Sequence, residues 1–411
     1  MLLALLLVLQ TTAACADVAD CRAQAQAAAA RGDYEIFHDL AWRAAQKGPR
    51  NDIDLMNLLA RAMALSGRYG DALVMLGRIA DLGGQTDAVT SPDFAVVRQL
   101  KDWPALEAKL SGRPAPEPPP PAASAASVAA ATPAATGTRG SDSPSEVLSF
   151  EGASLEPIAL AHDAVSRRFL MADRRARRLV IVDEVSHHVV DYVTATSSSF
   201  LQNLTGFTID SRRGDLWVVS AEGEESSSSS VLHKLQLVSG RTLAEIAPPQ
   251  GAGAVRFVGV TATSDGTVYA LDAAGSRLYR VRPGTRALEL VMPLESRAPS
   301  ALVAVDDRVV YVASGQGLLR VDTSARNSTT VKSAEELAGL ESLAWRGGSL
   351  IGVQPAADSY AVVRLTLDSA GTRIQRRTIL ASSPTPTVGT LGRDGYYYLS
   401  DTGTIRRLAL R

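Results

Sequence analysis

The spacing of apolar residues changes character twice along this chain. From Asp17 to about Leu110 they recur at helical spacing, in Ala- and Leu-rich runs broken by Gly and Asp. From Glu146 to Arg411 short apolar alternations are separated by Gly, Asp, Ser and Arg turns, which predicts strands. Residues 111–145 follow neither period. Arg113–Ala123 is dense in proline, and Ser124–Thr136 is built from Ala, Ser, Thr and Pro. Such a segment buries too little apolar area to fold and is expected to be a disordered linker. Pattern alone therefore predicts a small all-α domain over 17–110, a linker over 111–145 and an all-β domain over 146–411.

Within the helical part, Gly32-Asp33-Tyr34 returns as Gly67-Arg68-Tyr69, roughly one tetratricopeptide period later. Ala44 and Pro49 follow the first copy; Ala72, Leu76 and Ile79 follow the second. A glycine lets an inter-helix turn close, the tyrosine is expected to pack over it, and small residues let the helix pair approach. The region resembles tetratricopeptide repeats, which implies helical hairpins that dock a protein partner. A more divergent third hairpin is expected over Pro92–Leu100 and Trp103–Leu110.

The strand-like part repeats a phrase of roughly 40–50 residues, the size of one four-stranded blade. Six copies pair Pro157–Asp163 with Phe169–Asp173, Gly206–Asp210 with Leu216–Ser220, and Val258–Thr263 with Val268–Asp272, then Ala301–Val305 with Val309–Ser314, Leu343–Arg346 with Leu350–Gln354, and Val388–Gly392 with Tyr396–Asp401. The last copy ends at its third strand, while Glu146–Phe150 stands alone upstream of the first. A six-bladed β-propeller closed by its own N-terminal strand accounts for both, and closure removes edges prone to aggregation. The predicted fold is thus multidomain: an all-α helical-repeat domain plus an all-β six-bladed propeller.

The lines PIALAHDAVSRRFLMADRRARRLVIVD, LTGFTIDSRRGDLWVVSA and VGVTATSDGTVYALDAAGSRLYRV resemble the gluconolactonase/senescence-marker/luciferin-regenerating-enzyme propellers and, more loosely, NHL-repeat propellers. The resemblance spans about residues 155–411. It implies a divalent cation such as calcium in the central channel, held by a glutamate, asparagines and an aspartate, which would polarise a lactone carbonyl and activate water. On that alignment the glutamate position carries Ile158, with Glu156 two residues earlier, and an asparagine position carries Val258. Asp272 stands where a family aspartate can appear. Glu156 and Asp272 are therefore the candidate metal ligands, against an expectation of no cofactor.

Other features change the picture less. The formal net charge of -1 offers no global field for nucleic acid. Met1–Leu9 is a short apolar run followed by Thr12-Ala13-Ala14-Cys15-Ala16, the pattern of a signal peptide over residues 1–16. The chain is expected to be exported, periplasmic or secreted, with no transmembrane segment once mature. Cys15 is an alternative lipid-anchor site. With a cut after Ala16 only Cys21 remains, and no internal disulfide is expected. Asp173, Asp272 and Asp401 close the second strand of three copies, where Ser220, Ser314 and Gln354 close the others. They read either as a carboxylate ring at the channel mouth or as turn caps. His162 reads as a packing residue. Arg167, Arg168, Arg174, Arg175, Arg177 and Arg178 crowd the turns of the first blade, with Arg174, Arg175, Arg177 and Arg178 as candidate anion contacts. The functional expectation is a non-catalytic envelope binding or scaffold protein. The competing expectation is a metal-dependent lactonase-type hydrolase.

Overall fold

The computed structural model describes residues 15–49, 51–111, 144–150, 155–184, 187–194, 204–210, 213–223, 228–385, 387–392, 394–401 and 403–410. The expected linker falls almost wholly outside these residues, as does most of the expected signal peptide. Two compact units divide between Glu117 and Pro118.

The first unit holds helices α1 (Val18–Ala30), α2 (Tyr34–Lys47), α3 (Ile53–Leu65), α4 (Tyr69–Asp81) and α5 (Trp103–Leu110). Asp17 and Asp52 cap α1 and α3 by accepting from Asp20 N at 2.9 Å and Leu55 N at 3.1 Å. The turn glycines act as expected. Gly32 and Gly67 take φ of +77° and +78°, and the following amides reach back to Ala28 O and Met63 O. These are the six-to-one bonds of a left-handed helix stop, which a residue bearing Cβ adopts only at a cost. Phe37, Trp42, Leu59, Met63, Leu76 and Ile79 form the buried seam.

Three expectations for this unit are corrected. Tyr34 is 39% exposed, less covered than expected, whereas Tyr69 is half-buried; backbone bonds close both turns. The first arm of the third hairpin is two 3-10 turns, Pro92–Phe94 and Val97–Gln99, rather than an α-helix. Finally, Cys15 and Cys21 are joined in a disulfide, tying the residues before α1 to its first turns. The expectation of no internal disulfide assumed a chain that starts after Ala16 and so lacks Cys15.

The second unit is six four-stranded antiparallel sheets. Their innermost strands, Pro157–Asp163, Leu204–Asp210, Phe257–Ala262, Pro299–Ala304, Ser342–Arg346 and Gly389–Leu391, touch in a closed cycle from the first blade round to the sixth and back. The fold is a six-bladed β-propeller. Ser145–Ser149 completes the sixth blade by pairing with Thr404–Leu408, with Leu148 opposite Ile405. The second strand of each blade lies between neighbouring sheets on both faces and so reads as a continuous apolar run; Arg168–Asp173 is buried throughout. Outer strands such as Val189–Thr194 are largely open to solvent. Tyrosines on the second strands bind adjacent blades: Tyr269 Oη donates to Asp307 O at 2.6 Å and Tyr311 Oη to Gly371 O at 2.8 Å.

Candidate functional site

The innermost strands surround a channel with a cavity of about 1010 Å³. Its geometry follows from one recurring irregularity. In the first four blades the register of the innermost strand skips a residue near its start, at Ile158, Thr205, Val258 and Ser300. A skipped residue in a β-bulge is unpaired and its side chain is re-aimed. Glu341 holds the same place in blade 5: its neighbour Ser342 pairs with Val353, and Glu341 N donates to Val353 O at 2.9 Å. Thr387 holds it in blade 6, where its hydroxyl donates to Leu399 O as Thr205 Oγ1 does to Val219 O at 3.1 Å. All six residues line the channel. The ring thus presents one carboxylate, three hydroxyls and two aliphatic side chains.

Glu341 was not among the sequence candidates. The strand was expected to start at Leu343, which left Glu341 in a loop; counting back from Gln354, the polar residue ending the next strand, would have found it. Burial pushes the Glu341 carboxyl up from its ordinary value. Among the described residues, no cation or donor side chain meets it.

The expected site residues lie elsewhere. Asp272 is fully buried. It accepts from Arg256 N (2.8 Å), Ala274 N (3.1 Å), Gly275 N (3.3 Å) and Arg277 Nε (2.7 Å). Four donors fill the acceptor directions of a carboxylate. Asp173 is engaged alike by Glu156 N, Arg175 N, Ala176 N and Arg178 Nε. Of the two readings of these aspartates, the turn cap is the one their hydrogen bonds fit. In blade 2 the position is Ser220, whose hydroxyl lies 2.9 Å from His233 Nε2; in blade 5 it is Gln354, which donates to Ala338 O at 3.0 Å. The register of blade 6 differs from the expected one. Its second strand ends at Leu399, so Ser400 takes the capping place, and Asp401 sits in the turn at the channel rim, accepting from Gly403 N at 2.8 Å. Glu156 is also at the rim, 3.6 Å from Arg174, and is not brought together with Asp272.

The arginines of blade 1 divide between its turns. Arg178 pairs with Asp173 and with Asp191 at 2.6 Å. Arg175 and Arg177 are exposed in the same turn, Arg177 at φ +51°. Arg168 is buried on Asp163 and reaches the carbonyls of Leu237 and Val238. His162 lines the channel but serves packing: its ring lies 4.8 Å from Phe169 and 5.1 Å from Tyr397, joining the first blade to the last. Its Nε2 is 2.6 Å from Glu184, which also accepts from Arg167 at 3.0 Å. Burial pushes Glu184 up, but His162 and Arg167 outweigh it and hold the carboxyl down to about 2.

No family model and no curated protein matches the sequence. Solved structures of similar shape include a catalytically inactive virginiamycin B lyase from Staphylococcus aureus with quinupristin, 14% identical over 63% of this chain and 82% of that one, with a TM-score of 0.47. A gluconolactonase from Xanthomonas campestris is 13% identical over 62% of this chain and 86% of that one, with a TM-score of 0.46. A nidogen/laminin complex is 13% identical over 56% of this chain and 84% of that one, with a TM-score of 0.43. The assignment of the fold rests on the strand topology itself.

The ring does not suit the divalent cation that the fold resemblance implies. Hard dications take carboxylates and carbonyls in numbers. Here two of six ring places are aliphatic and one is anionic, and Asp272 has no lone pair to give.

Proposed function

We propose that this is an exported, non-catalytic binding protein whose propeller channel recognises a ligand and whose helical hairpins dock a protein partner. The composition of the bulge ring carries this reading: a dication there would face Ile158 and Val258 with Glu341 as its single counter-charge. The repeated hairpin turns at Gly32 and Gly67 support the docking role, since stacked hairpins of this kind present a groove. The Cys15–Cys21 disulfide supports export, because such bonds persist in oxidising compartments. It also favours a signal cut ahead of Cys15 over one after Ala16. Among the described residues no helix is long and apolar enough to cross a membrane.

The competing lactonase would have to build its metal site on Glu341. Calorimetry with calcium, zinc and manganese, alongside a panel of lactones, separates the two. The binding protein shows no saturable metal heat and no turnover. Micromolar metal affinity with turnover lost in Glu341→Ala would establish the hydrolase. A pull-down from the envelope fraction with the helical unit tests the docking role.

A further inference from the structure

The ring's hydrogen-bonding polarity follows from bonds it has already made. Thr205 Oγ1 donates to Val219 O at 3.1 Å, Ser300 Oγ to Leu340 O at 2.7 Å, and Thr387 Oγ1 to Leu399 O. A hydroxyl has one hydrogen. Once that hydrogen is committed to a carbonyl, the oxygen can only accept from a visitor. An ionised Glu341 also only accepts. Four ring members therefore offer acceptors, and none offers a donor. A carboxylate, phosphate or lactone oxygen would meet lone pairs with lone pairs.

Charge narrows the choice. The ring holds one carboxylate, which balances one positive charge and leaves a dication half-compensated in a partly desolvated place. Ile158 and Val258 add carbon surface that a hydrated alkali ion does not use. We infer that the ring binds the head of an organic ammonium, a primary amine carrying an apolar substituent, with Glu341 as its counter-ion and the hydroxyls of the two flanking blades, Ser300 and Thr387, as acceptors. This rests on the reading of the channel as the recognition site of a binding protein.

Glu156, Arg174, His162, Asp401 and the phenol of Tyr360 also line the cavity. Glu156 has Arg174, Asp401 accepts from Gly403 N, and His162 holds Glu184. Glu341 combines exposure to the channel with a charge destabilised by burial. A bound cation would relieve that cost. Affinity should accordingly weaken as pH falls through the raised value of this carboxyl.

The test is a calorimetric titration of the full chain with benzylammonium at neutral pH. Benzyl alcohol serves as the neutral isostere, tetramethylammonium as a cation without N–H, and calcium as the dication. Benzylammonium should saturate and bind at least about tenfold more tightly than the other organic probes, as expected for charge-assisted bonds. Glu341→Gln should weaken it about 10–100-fold without lowering the melting temperature, and Ser300→Ala about fivefold. Equal affinity for amine and alcohol, wild-type affinity in Glu341→Gln, or no saturation at tens of millimolar would overturn the inference. Calcium binding with lactone turnover would instead overturn the binding-protein reading beneath it. Failure of the amine alone leaves that reading standing.

Discussion

At the scale of single residues, the same chemical group does opposite work depending on what already holds it. Asp272 and Glu341 are both carboxylates of the propeller. The first is saturated by N–H donors and by Arg277; the second meets none. Asp272→Ala should therefore cost roughly 3–5 kcal/mol by stranding a half-buried guanidinium and turn amides, measured by denaturant unfolding. Glu341→Gln should do the reverse. The folded-state pKa is raised, so the ionised form costs stability at neutral pH; the variant should melt higher there. Below the ordinary glutamate range both forms are neutral and the difference should vanish. His233 supplies a third case. Burial pushes its imidazole down from 6.5 to about 4. Stability held by the neutral ring is full above 6.5 and lost as pH falls towards 4, by about 3 kcal/mol at most. Unfolding midpoints of His233→Gln across that window should be flatter than those of the parent.

Among the elements, two devices recur because the physics at each place is the same. Every helix stop of the Gly32 type needs a left-handed residue, so Gly32→Ala and Gly67→Ala should each cost about 1 kcal/mol, read from thermal melts. Steric crowding is not the cause, since a methyl group at either position would meet no neighbour within 4 Å. Four innermost strands use a bulge to aim one residue at the channel, and in the other two the equivalent residue precedes the strand. That bulge is a register event, and alternation along a single strand does not announce it. This is why the strands themselves were legible while the ring was not: Ile158 and Val258 were found through a family alignment, and Glu341 was missed.

For the whole propeller, closure decides stability. Leu148 is buried with Tyr397, Leu399 and Ile405, so the closing strand contributes core as well as hydrogen bonds. Deleting residues 145–149 should expose the Thr404–Leu408 edge and produce oligomers or a large drop in melting temperature, seen by light scattering and calorimetry. A monomer with unchanged melting would show that the ring is held by other contacts. The His162 stack on Tyr397 is a second tie across the same seam, and its loss should add to that of the strand.

The sequence by itself determined the change from helical to strand period, the number of blades, the lone strand that closes them and the glycine turns of the hairpins. These are local or repetitive properties, and repetition averages out local ambiguity. The tertiary structure alone decided what depends on neighbours distant in the chain. Asp272 became a structural cap because Arg256 and Arg277 converge on it. Tyr34 stayed partly exposed at 39%, and Cys15 paired with Cys21. Glu341 entered the channel ring because it directly precedes the fifth blade's innermost strand, with its amide paired to Val353 O. A side chain's role follows from which partners reach it first, and a linear pattern does not carry that information.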